Sequence, residues 1–116
     1  MITQSTVRDS VADLAGLPAT TASVMQAQNL VALKLADQLD CERCLQVANS
    51  LSQHQAANAF LGALGQTPDG FLLEQGLTRQ QISAGQTGEL TIGQLLDLNW
   101  NIFVPTALRS ENRAIH

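Results

Sequence analysis

The chain has 116 residues, room for one domain around a single core. Apolar residues make up 45% and charged residues only 14%, against about 25% charged in typical soluble domains, so the exterior is unusually uncharged. The net charge is −4, with six cations scattered among ten anions and no basic block, which argues against binding a nucleic-acid backbone or an anionic membrane surface.

The opening MITQSTVRDS lacks the apolar run of a signal peptide, and no stretch of the chain approaches the roughly 18 apolar residues of a membrane span. A first helix is predicted from about Thr6 to Ala15. Thr6-x-x-Asp9 reads as its start, and Val7, Val11 and Leu14 recur at helical spacing. Gly16 and Pro18 stop it. The stretch from Thr20 to Leu39, TTASVMQAQNLVALKLADQL, contains no Gly or Pro and predicts the longest helix, capped by Thr20 or Thr21. Val24, Ala27, Val31, Ala32, Leu35, Ala36 and Leu39 fall within about half its circumference, a broader apolar face than a surface helix buries. Leu30 and Leu33 fall outside that arc, among Gln26, Lys34 and Asp37.

Asp40 can both end this helix and cap the next, which holds Cys44, Leu45, Ala48 and Leu51 inward. Ser52-x-x-Gln55 is a capping box, so residues 40–64 form either two helices or one; in the two-helix reading Ala56, Phe60, Leu61 and Leu64 share a face. Gly65 is a natural terminator, and Thr67-Pro68 starts a short helix, PDGFLLEQ, that ends at Gly76. Leu77-Thr78-x-x-Gln81-Ile82 recurs thirteen residues later as Leu90-Thr91-x-x-Gln94-Leu95. Each copy is a helix start in which Thr caps the third residue and Gln reaches back. The last helix is expected over about Ile92 to Ile102, with Leu95, Leu98 or Asn99, and Ile102 inward, and Pro105 ending it. Trp100 to Val104 has an alternative as a short extended edge. Residues 105–116 are a polar tail expected to be disordered when free. The whole predicts an all-α fold: a single domain, residues 1–116, built as a bundle of five to seven helices around about 20–39, with no sheet of consequence.

Few residues carry chemistry. Cys41-x-x-Cys44 places two thiols on one helix face, and the absence of a secretory signal points to a reducing cytoplasm. A structural zinc needs four ligands, and only His54 and His116 remain to join the pair. Packing cysteines are the blander reading, because Cys behaves as a small buried hydrophobe. His54 has no acid or nucleophile at helical spacing, so no catalytic arrangement forms around it. The glycines at 85, 88 and 93 do not make a phosphate loop. No cofactor is implied.

Residues 77–99 have the outline of a helix-turn-helix, two short helices around a Gly-containing turn, but the second presents Gln94, Asp97 and Asn99 and no Arg or Lys. LTIGQLLDLNWNIFVPTALR resembles a twenty-residue segment of the flagellar master regulator, sharing Leu90, Thr91, Gln94, Leu98 and Arg109. The likeness covers under a fifth of the chain, assigns no family and transfers no residue role.

The expected function is a non-enzymatic, cytoplasmic protein–protein interaction module: an adaptor, a secretion-type chaperone or an inhibitor that sequesters a regulatory protein. One alternative is a DNA-associated transcriptional regulator using 77–99, and another is a small metal or redox protein using Cys41, Cys44 and His54. A chain this short with so few charges leaves apolar surface to be covered. A homodimer is therefore expected, with Leu30, Leu33, Trp100 and Phe103 at the partner interface.

Overall fold

The structure, a computed structural model, describes residues 4–51, 61–62 and 65–104. Among them the chain is an all-α bundle of six helices: α1 (Gln4–Val11), α2 (Thr21–Leu39), α3 (Glu42–Leu51), α4 (Pro68–Gln75), α5 (Arg79–Thr87) and α6 (Ile92–Asn99). Short 3-10 turns follow α1, at Ala12–Leu14, and α6, at Trp100–Phe103. No strand occurs among the described residues; the one piece of extended pairing is an isolated bridge between Pro18 and Thr91. No described helix is long and apolar enough to cross a membrane.

Helix α1 buries Val7 and Val11, and its 3-10 turn buries Leu14, as their spacing predicts. Its start differs. The helix already runs from Gln4, so Thr6 and Asp9 lie inside it. A threonine caps only where the chain before it leaves the helical region, and no breaker precedes Thr6.

Around α2 the other elements gather: α1, α3, α4, α6 and the closing 3-10 turn all pack on it. Thr20 caps it, its side chain accepting from the Ser23 N–H, and Asp40 closes it in the left-handed conformation, φ 49°. Every residue of the expected inward arc is buried or packed against the core, and Met25 and Gln28 are buried with them. Each fully buried aliphatic side chain of this kind contributes about 1.5–3 kcal/mol. That extra width is why α2 organises the bundle.

Helix α3 lies along α2, tied there by Asn29, whose side-chain amide donates to the Ala48 carbonyl. Cys44, Ala48 and Leu51 are inward, but Leu45 is 46% exposed and Val47 packs against the core instead. The cap expected from Asp40 comes from Cys41, whose Sγ accepts from the Cys44 N–H. Asp40 is already committed to the left-handed close of α2, and a side chain cannot cap a helix that begins one residue further on. The expected capping box at Ser52 and the face of Ala56, Phe60 and Leu64 fall outside the described residues; Leu61 is buried. Gly65, at φ 73°, closes the chain behind Leu61, whose carbonyl accepts from the Gln66 N–H at 2.8 Å.

Helix α4 begins and ends as predicted, with Thr67 as cap, Pro68 at its first position and Gly76 beyond its end. Both copies of the thirteen-residue echo are complete capping boxes, Thr78 with Gln81 and Thr91 with Gln94. The residues before and after each cap turn, Leu77 with Ile82 and Leu90 with Leu95, are buried, as a hydrophobic staple requires.

The α5–α6 pair is fastened to the connection between α1 and α2. Ala19 N–H donates to the Leu90 carbonyl at 2.8 Å, Ile92 N–H to Leu17 at 2.9 Å and Gly93 N–H to Ala15 at 2.9 Å. Two glycines permit the approach. A Cβ on Gly93 would stand 3.1 Å from the Ala15 oxygen, and one on Gly85 would overlap the Ala19 carbonyl, 3.0 Å from its carbon.

The final segment departs from the expected helix to Ile102. Asn99 leaves helical geometry at φ −158°, ψ 74°, and Trp100–Phe103 tightens into a 3-10 turn. This re-aims the chain so that Ile102 and Phe103 enter the core. Leu98, one of two inward candidates, is 64% exposed; Ile92, Leu95 and Leu96 already fill the inward arc. Val104 is extended, as the residue before a proline prefers to be. The expectation for residues 105–116 lies outside the described residues. A buried amide locks the turn in place: Gln28 donates through Nε2 to Gln75 Oε1 at 2.8 Å and to the Ile102 carbonyl at 2.9 Å.

Candidate interaction surface

On the outward side of α2 the chain offers a groove of about 340 Å³ walled by α1. Its lining is Leu30, Leu33, Lys34 and Asp37 from α2 with Asp9 and Ser10 from α1. The spacing of these four α2 residues, i, i+3, i+4 and i+7, gives one continuous ridge. Leu33 is 41% exposed, while Leu30 is half-buried and packs against the core beneath it. An apolar floor thus carries two carboxylates and one ammonium.

Of the four residues expected at an interface, the structure brings Leu30 and Leu33 together here. Trp100 and Phe103 do not line this groove. Phe103 is fully buried, a correction to its expected exposure, because the 3-10 turn carries it inward. Trp100 is half-buried and packs against the core. Asp9 and Ser10 were not expected here. Asp9 lies opposite Val7 and Val11 on α1 and Ser10 flanks them, and only the packing of α1 along α2 makes the two part of one surface.

Elsewhere, Arg8 of α1 pairs with Asp97 of α6, but both side chains are at least half exposed, and such pairs are worth little. The helix-turn-helix outline of 77–99 does fold as two capped helices. A reading helix needs its amino-terminal residues free for base edges. The first amides of α6 instead donate to Leu17 and Ala15, and its exposed residues are Gln94, Asp97 and Leu98.

At the start of α3, Cys41 is half-buried and Cys44 is buried; they are not joined by a disulfide. No group of three or more His, Cys, Asp or Glu side chains able to hold a metal occurs among the described residues, and His54 and His116 lie outside them.

No family model, curated protein or solved structure matches this chain.

Proposed function

We propose that this chain is a non-enzymatic interaction module of the cytoplasm, an adaptor, secretion-type chaperone or inhibitor, that pairs with a second copy of itself across the outer ridge of α2. The observation that carries this is the groove itself. Leu33 stands 41% exposed on an apolar floor, and the charges around it, Asp9, Lys34 and Asp37, are of both signs. A two-fold contact must be self-complementary, residue i meeting j while j meets i. Two such ridges set face to face can match each Lys34 with Asp37 of the opposite copy and cover both leucines. The low overall charge supports the same reading, since a protein ligand is recognised through apolar contact with a polar rim.

Charge reversal tests the pairing. Lys34→Glu and Asp37→Lys each place like charges against each other across the two-fold, so each variant alone is expected to sediment as a monomer. Mixed in equal amounts, they restore both matches and form a heterodimer. Failure of the mixture to associate, with both variants still helical by circular dichroism, refutes the arrangement.

A further inference from the structure

Cys41 is the joint between two helices. Its N–H donates to the Ala36 carbonyl at 3.3 Å and closes α2; its carbonyl accepts from the Leu45 N–H at 3.2 Å and opens α3. Its Sγ accepts from the Cys44 N–H at 3.3 Å, which makes Cys41 the cap of α3. Four other helices of the bundle are capped by threonine: Thr20, Thr67, Thr78 and Thr91. Sulfur is a weaker acceptor than a hydroxyl, so capping alone favours threonine at this position too. What cysteine adds is a nucleophile.

The amide that holds the Cys41 sulfur belongs to the second cysteine. At about 1.5 Å rise and 100° per residue, Cα atoms three apart on a helix stand about 5 Å from one another, and a disulfide accepts Cα separations of about 4.4–6.8 Å. Accessibility divides the pair: Cys41 is half-buried, whereas Cys44 is only 4% exposed, with its side chain in the core. The first-turn amides of the ten-residue α3 turn their partial positive charge toward Cys41, opposed by the Glu42 carboxylate in the same turn.

We propose that Cys41 and Cys44 form a thiol–disulfide exchange site whose co-reactant is a low-molecular-weight disulfide of the glutathione type. The Cys41 thiolate attacks one sulfur of that disulfide; a mixed disulfide forms at Cys41, and one small thiolate leaves. Cys44 then gives up its proton and attacks Cys41 Sγ. The mixed disulfide breaks, the second small thiolate departs, and the Cys41–Cys44 bond remains. Two protein thiols are oxidised and one small disulfide is reduced to two thiols. The reverse sequence opens the bond.

The full chain, equilibrated in a series of glutathione buffers, acid-quenched, alkylated and weighed intact, tests the site. Under oxidising ratios the chain is expected to lose two hydrogens and to take up no alkyl group. Cys44→Ser is expected to hold a single glutathione on Cys41, located by peptide mass. In the reduced wild type, Cys41 is expected to alkylate about tenfold or more faster than buried Cys44. Two alkyl groups at every ratio, glutathione on both residues without an internal bond, or equal alkylation rates would overturn the proposal. If Cys44→Ser does not fold, the wild-type mass series and the two alkylation rates decide alone.

Discussion

Gln28 is the polar residue on which the packing of the last segment depends. It is 2% exposed on α2, and its Nε2 supplies both Gln75 Oε1 and the Ile102 carbonyl. Truncating a donor inside a core costs about 1–3 kcal/mol, because the acceptors left behind have already given up water. Gln28→Ala is therefore expected to lower the urea unfolding free energy by about that much, whereas a change at exposed Gln38 stays within about 0.5 kcal/mol. Equal effects at the two positions would show that the Gln28 amide does not hold the last segment. An amphipathic reading of the sequence could not find Gln28, because periodicity counts glutamine as polar and sees neither the Gln75 amide nor the Ile102 carbonyl. Phe103 was hidden for a related reason. Its burial follows from the turn at Asn99, a backbone event that no side-chain period announces.

At the scale of the element, the starts of helices were legible and their docking was not. The Thr-x-x-Gln echoes at 78 and 91, Thr20, Thr67-Pro68 and Gly76 each act through neighbours in sequence, so the local chain alone specifies them. The attachment of α5–α6 to residues 15–19 joins segments about seventy residues apart in a chain with no internal signal for the pairing. Gly85 makes that attachment possible. In an ordinary helix interior Gly→Ala stabilises by about 0.5–1 kcal/mol. Here the added Cβ would meet the Ala19 carbonyl, in a segment held by the Ala19 N–H donating to the Leu90 carbonyl and by the Leu17 carbonyl accepting from the Ile92 N–H. Gly85→Ala is expected to destabilise by about 1–3 kcal/mol, the range for overpacking. Thermal unfolding followed at 222 nm checks the sign, and an increased Tm would show that α5 does not lie against the connection as described.

Across the whole molecule, one broad apolar face of α2 builds the core and a narrower ridge faces outward. The ridge was half legible: Leu30 and Leu33 stood out as leucines off the main arc, whereas Asp9 and Ser10 joined them only through the packing of α1. If the ridge is a two-fold contact, placing a carboxylate in its centre separates the copies without touching the core, since Leu33 is 41% exposed. Sedimentation equilibrium of wild type and Leu33→Glu is the direct measurement. With the two-fold contact on this ridge, the wild type sediments at twice the 12.4 kDa chain mass and the variant at the single mass with its helical circular dichroism intact. A wild type at the single mass, or a folded Leu33→Glu that remains at twice that mass, would contradict it.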